Sequence, residues 1–544
     1  MEKIALTIND QWLMVKKWIR ENKLELFILS LILLLGAFLR LYRISEYMTF
    51  LGDEGRDVIV VRRLLVNFDP ILVGPGTSIG NMYLGPLYYY MMAPWLLVFG
   101  LSPVGPAVMI ALLGVATIFL VWYVAREWFS NSLQGQSLQV GALVASGLYA
   151  ISPTVITYSR SSWNPNIMPF FALLSIYSIW KMYKFDGGPR EVGKWLTVLG
   201  VSYAFVLQSH YLGLLLAPPI TLFWFLTFLK IKKLVSSLPV GKAGAYSLLP
   251  NFLKYSALSF LLFSFLMSPL VIFDARHGWR NFDAMKKFFT ERQTTVSARP
   301  WNAITKIYPL FEKVNTRLLT GRNETVGKWT SIGVVSLLTL LLLFKKKQLK
   351  IHTTSYLLLA TWIALALLGL GLYKQEIYDH YYGFFFPAPF LLLGAVTQYL
   401  TQNTRYLMKI ILFFAFCILI FVNIQNSPLR YSPNRQLQRT EEVGRKISEE
   451  ANDQNFNLAV IAERNYEDAY QYFLEWWKEP VVDIDPLRAN DTITNQLFVV
   501  CELPVDICDP THNPKAEVAN FGWSKVEGEW QVSGVTLYKL VHTQ

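Results

Sequence analysis

The chain has 544 residues, 53% of them hydrophobic and 15% aromatic, with only 16% charged and a formal net charge of +12. Soluble domains carry about 25% charged residues, so an ordinary soluble enzyme is excluded and a polytopic membrane protein is indicated. The basic residues sit in short clusters between apolar runs, the positive-inside pattern, and no basic–aromatic stripe suited to nucleic acid is present.

In chain order, Lys16, Lys17, Arg20 and Lys23 precede an apolar segment at residues 24–43. Its length is close to the roughly 20 residues that a spanning helix needs. No small-residue cleavage site follows, so this segment reads as an uncleaved first span with a cytoplasmic N-terminus. Next comes Phe50-Leu51-Gly52-Asp53-Glu54-Gly55-Arg56-Asp57, which sets an acidic pair at the membrane boundary. Ionisable groups there are functional candidates by default. Further apolar segments fall near residues 82–100, 105–125, 138–158, 165–183, 194–210, 211–229, 252–273, 328–344, 354–372, 382–399 and 406–424.

Basic clusters at 16–23, 181–194, 230–242, 345–350 and 405–409 are expected on the cytoplasmic side. Parity then makes 194–229 a tight hairpin turning near His210. It also leaves 82–100 as a re-entrant or interfacial piece, which suits its Gly85-Pro86 and Pro94. The expectation is an α-helical polytopic membrane protein with eleven spans, in a range of eleven to thirteen. Residues 1–429 form the membrane module, with long external loops at 44–104 and 275–326. Residues 430–544 form a small extracytoplasmic α/β domain, with strands at 457–463, 496–502 and 535–541 and a helix at 466–478. Cys501 and Cys508 are able to form a disulfide if that region lies outside the cytoplasm.

Asp53 and Glu54 suit a general base that deprotonates an acceptor. Adjacent carboxylates in a partly dry site repel, which raises at least one pKa. The competing reading is a solvated pair bridged to Arg56, Arg62 or Arg63. Arg160, Arg276, His277 and Arg280 follow span ends and suit a phosphate or pyrophosphate. Singly, such residues more often snorkel toward head groups. His210 and His380 should lie near the external face, although no spacing argues for a metal held by His210, His380 and Asp53. The Tyr88-Tyr89-Tyr90 run reads first as an interfacial aromatic belt and second as a sugar platform. Asn323-Glu324-Thr325 and Asn490-Asp491-Thr492 are glycosylation sequons. Walker, dinucleotide and H-E-x-x-H motifs are absent.

A first span, an Asp-Glu pair and then Tyr83-Leu84-Gly85-Pro86-Leu87-Tyr88-Tyr89-Tyr90 resemble the start of the GT-C membrane glycosyltransferases. The likeness is closest to the protein O-mannosyltransferases and lipid A aminoarabinose transferases. It continues through Ser159-Arg160, Asn164-Pro165-Asn166, His210-Tyr211, His380-Tyr381-Tyr382 and Pro387-Ala388-Pro389, over roughly residues 24–400. The resemblance implies transfer of a sugar from a polyprenyl-phosphate carrier to a protein, lipid or glycan acceptor on the external side of the cell membrane. Asp53 inherits the role of base, with Glu54 positioning it or the acceptor. Arg276, His380 and Tyr381 match places where the lipid phosphate is met, and Arg160 joins them as a candidate. Arg56, Tyr88, Asn166 and His210 are expected in the substrate pocket. Two departures stand out: relatives often carry an acid where this chain has Asn166, and Arg where it has His380. The scheme requires no cofactor, and the sequence does not argue for a divalent metal. The rival readings are a transporter or lipid flippase, disfavoured by the absence of an inverted repeat, and a non-catalytic envelope scaffold.

Overall fold

The computed structural model describes residues 8–77, 82–129, 138–184, 188–237, 247–290, 296–297, 299–344 and 353–543. The basic cluster at 345–350 and the end of the one at 230–242 lie outside these residues. Each apolar segment predicted from the sequence is helical. Among the described residues, six helices are long and apolar enough to cross a membrane. They are Lys23–Leu41, Val104–Phe129, Tyr211–Ser236, Leu248–Arg276, Thr354–Gly371 and Tyr406–Gln425. Asp379–Phe385 and Pro387–Asn403 form a further pair bent by 58°. The chain is thus a multi-pass, α-helical membrane protein.

Segment 138–158 is interrupted: helix Val140–Ile151 stops at Ser152, and Pro153 opens a new helix, Pro153–Tyr158. Proline at a first helical position costs little, because the N–H it lacks has no partner there. Segment 82–100 supplies only Leu87–Val98, 12 residues. At 1.5 Å per residue that is about 18 Å, well short of the ~30 Å hydrocarbon core. Helix Pro189–Ser209 ends at the expected hairpin tip, and His210 begins a 3-10 turn over Tyr211–Leu216.

After the last long helix, the C-terminal residues form a four-stranded sheet. Its strands are β1 (Asn457–Ile461), β2 (Gln496–Cys501), β3 (Ser524–Val532) and β4 (Val535–His542), in the order β1-β2-β4-β3. β1 pairs parallel with β2, and the other pairings are antiparallel. Every residue of β1 and β2 is buried, as expected when both faces of a sheet are covered. On one face Leu458, Val460, Phe498 and Val500 meet Val443, Ile447, Tyr470 and Leu474. On the other, Ile461, Leu497, Val499 and Leu540 meet Val518 and Phe521. Cys501 and Cys508 form a disulfide.

The sheet region and the membrane-proximal helices share one hydrophobic cluster. Phe50, Val58, Val61, Tyr88, Tyr89 and Met92 pack with Leu437, Ala469, Tyr472 and Phe473. Phe50 makes edge contacts with both Tyr472 and Phe473, at ring-centroid distances of 6.4 and 6.0 Å.

Candidate active site

Helix Gly52–Asn67 carries Asp53 and Glu54 in its first turn, where the positive end of the helix dipole favours negative charge. The two carboxylates meet different fates. Glu54 is buried, and its Oε2 accepts the Leu51 N–H at 3.1 Å. Burial pushes its carboxyl up to about 8, with the charges of Asp53 and Asp57 adding to the effect. Asp53 stays open, with 44% of its side chain exposed. Its Oδ1 accepts hydrogen bonds from Arg56 Nη1 at 2.9 Å and from the Tyr466 hydroxyl at 2.7 Å. Its Oδ2 takes no hydrogen bond from the described residues.

Arg56 bridges Asp53 and the wholly buried Asp57. The Asp57 Oδ1 takes Arg56 Nη2 and the Tyr89 hydroxyl, each at 2.8 Å. Burial raises the Asp57 carboxyl to about 6, while the Arg56 guanidinium pulls it back. Arg56 thus acts as counter-ion to two acids and is a positioning group before it is a pocket residue.

Five consecutive residues gather the rest of the site. Arg160 donates to the carbonyls of Leu39 (2.6 Å) and Tyr42 (2.7 Å) and lies over the Tyr47 ring. The Ser161 hydroxyl accepts the Thr49 N–H at 2.8 Å. The Ser162 hydroxyl bonds the Tyr88 hydroxyl at 2.7 Å. Trp163 packs edge-on to His380 at 4.6 Å, and Asn164 Nδ2 donates to the Ser209 carbonyl at 2.6 Å. One short turn therefore ties the first span, the approach to the acidic pair, the Tyr88 helix, the His380 segment and the hairpin tip. Asn166 closes that turn on itself through the Ser161 carbonyl.

His210 and His380 meet with ring centroids 6.0 Å apart, and Tyr381 stands against both, at 5.4 and 4.5 Å. His380 lies within electrostatic range of Asp53. Beside His380, Asp379 pairs with Arg317 at 3.4 Å and Arg322 at 3.1 Å. Two guanidiniums around one carboxylate leave a net positive charge there.

Of the residues singled out in the sequence, Asp53, Glu54, Arg56, Tyr88, Asn166, His210, His380 and Tyr381 are thus linked by contacts or charge. Arg160 is almost wholly buried and holds backbone carbonyls, so it fixes the exit of the first span and offers no open fork. Arg276 is exposed at the end of its helix and joins none of these contacts. Sequence reasoning missed Asp57, Ser162, Arg317, Arg322 and Tyr466. It also missed Gln208, whose Oε1 accepts the Leu87 N–H and packs where a Cβ on Gly85 would stand. Asp57 carried a visible signal, since Arg56 sits between it and Asp53 in the sequence; Tyr466 carried none. No three His, Cys, Asp or Glu side chains among the described residues converge as a metal-binding group.

Residues 84–252 match the family described as dolichyl-phosphate-mannose-protein mannosyltransferase. No curated protein sequence matches the chain. Its structure is similar to that of ArnT from Cupriavidus metallidurans bound to undecaprenyl phosphate. The TM-score is 0.59 at 11% identity, over 94% of this chain and 97% of that one. The same protein in its apo state gives a TM-score of 0.56 at 10% identity, over 97% and 98%. The archaeal oligosaccharyltransferase AglB from Archaeoglobus fulgidus, with an inhibitory peptide and a dolichol-phosphate, gives 0.52 at 13% identity, over 89% and 70%. These likenesses establish the GT-C fold.

Proposed function

We propose that this chain, a glycosyltransferase by its family match and GT-C fold, moves a sugar from a polyprenyl-phosphate carrier to an acceptor outside the cytoplasm, with Asp53 as base. The observation that carries the reading is the state of Asp53: one oxygen is held by Arg56 and Tyr466, and the other takes no hydrogen bond from the described residues on a side chain that is 44% exposed. The lipid phosphates named with the two similar proteins support the class of donor.

In the proposed step, Asp53 Oδ2 takes the proton from an acceptor hydroxyl or amine. The freed nucleophile bonds to the anomeric carbon from the face opposite the carrier, so the configuration inverts. The bond from that carbon to the carrier oxygen breaks, and the electron pair leaves with the lipid phosphate. The charge growing on the phosphate is met by an N–H of the His380 imidazole and by the cationic surplus of Arg317 and Arg322, where stabilisation of the transition state is concentrated. Arg276, exposed beyond this group, suits the entry of the lipid head. Burial leaves Glu54 protonated near neutral pH, so it holds the helix start and does not compete as base.

Placement of this face outside the cytoplasm is supported by the Cys501–Cys508 disulfide and by the cationic clusters at the opposite ends of the spans. The N-terminus is then cytoplasmic and the sheet extracytoplasmic. Transfer of labelled sugar from a panel of polyprenyl-phosphate sugars, with native membrane extract as acceptor, tests the proposal. Wild type should label the extract, and Asp53→Asn should lose at least about 100-fold in rate while still binding undecaprenyl phosphate. Equal transfer by both proteins would remove Asp53 as the base.

A further inference from the structure

We infer that Tyr466 is a positioning residue for Asp53, so that the C-terminal region completes the active site and does more than cover it. The inference rests on the reading of Asp53 as base. Three hydrogen bonds and one ring contact join the two parts at the start of the acidic helix. The Gly52 N–H donates to Asn465 Oδ1 at 2.8 Å. The Tyr466 hydroxyl donates to Asp53 Oδ1 at 2.7 Å and accepts from Arg56 Nη1 at 3.3 Å. The Tyr466 ring lies across Gly52, where a Cβ would stand 2.5 Å from its atoms.

The loop that presents Tyr466 is itself held. Asn465 Nδ2 and the Tyr470 hydroxyl both donate to Glu502 Oε1, each at 2.7 Å. Glu502 directly follows β2, so the sheet fixes a carboxylate, the carboxylate fixes the loop, and the loop fixes Asp53. Without Tyr466, Asp53 is an open side chain in the first turn of a helix with one remaining partner, Arg56, which it shares with Asp57. Either of its oxygens could then turn toward the acceptor. With Tyr466 in place, Oδ1 is occupied twice and Oδ2 alone is presented.

The charged and titratable groups around Asp53 are Glu54, Arg56 and Asp57 on its own helix, His380 from the bent segment, and Tyr466. Asp468 acts on Arg56 from the C-terminal side, and burial raises its carboxyl to about 7. The Tyr466 phenol is pushed well above its ordinary value, first by burial, so it stays a donor throughout any usable assay range. An O–H donor favours the ionised carboxylate. Removing it should therefore move the acidic limb of the pH–rate profile upward.

Two measurements on the full-length protein in lipid nanodiscs test this. In the transfer assay, Tyr466→Phe should lose roughly tenfold in kcat with little change in KM for the donor, and its acidic limb should move upward. In the second, 3-fluorotyrosine at position 466 is followed by fluorine NMR across the acidic range. Its resonance should step with pH in the otherwise native protein, and in Asp53→Asn the part of the step below pH 6 should vanish, leaving only the response to Asp57 and Asp468. This second readout needs no donor sugar and keeps the native ring, so it holds even if Tyr466→Phe folds poorly. A resonance with the same pH response in both backgrounds overturns the inference. An inert Asp53→Asn beside a Tyr466→Phe with wild-type kcat and acidic limb overturns it while leaving the base reading standing. An Asp53→Asn with the wild-type rate removes the base reading, and the inference falls with it.

Discussion

Asp53 and Glu54 are neighbours in sequence with opposite environments, and this difference decides what each does. Asp53 projects into the open side of its helix. Glu54 is turned inward, where burial holds its carboxyl up at about 8. A carboxyl with a folded value above its unfolded 4.5 favours the fold at low pH. That contribution is complete below about 4.5 and is lost as pH rises toward 8. Glu54→Gln keeps the shape and removes the titration. Its melting temperature should match wild type near pH 5 and exceed it at pH 8.5, measured by a scan in detergent at both values. Equal melting curves at pH 8.5 would mean that Glu54 is not buried as described. The acidic pair was visible in the sequence because charge is conspicuous in so apolar a chain. The split in roles was not visible, because it depends on which way the first helical turn faces.

At the scale of elements, the packing of helix Gly52–Asn67 against helix Asp468–Trp477 depends on Gly55. A Cβ added there would stand 2.3 Å from the Ala469 backbone nitrogen and 2.4 Å from its Cα. Those atoms are main chain and cannot swing aside. Gly55→Ala would gain about 1 kcal/mol of helix propensity, yet forcing the two helices apart should cost about 1–3 kcal/mol and loosen Tyr466 from Asp53. The expected result is a lower melting temperature together with slower transfer. A variant as stable and active as wild type would exclude this contact. The helices themselves were legible from apolar runs, and β1, β2 and β4 from short buried patterns. β3 was not, because its exposed face, Lys525, Glu527 and Glu529, shows no apolar alternation. The turn from Arg160 to Asn164 was legible as a motif, but its five separate partners lie far away in sequence, where local pattern cannot reach.

Across the whole molecule, the membrane-proximal helices and the helices that cover the C-terminal sheet share a hydrophobic cluster and a hydrogen-bonded junction. Tyr47 and Tyr431 join them as well, hydroxyl to carbonyl at 2.8 Å. The side on which the sheet lies is a proposal drawn from the charge distribution and the Cys501–Cys508 disulfide, and the disulfide gives a direct test of it. Protein denatured without reduction should be alkylated at one cysteine, Cys417, and after reduction at three, as counted by intact mass. Alkylation of all three without reduction would place residues 501–508 in a reducing compartment and reverse the proposed orientation.

Tyr466 stands 413 residues downstream of Asp53. At synthesis rates of about 5–20 residues per second, Asp53 is made roughly 20–80 seconds before Tyr466. A half-made protein thus has its acid but not the clamp that aims it. The contact between Asp53 and Tyr466 is therefore among the last in the molecule to form, and it needs Glu502, beyond β2, as well as the loop that carries Tyr466.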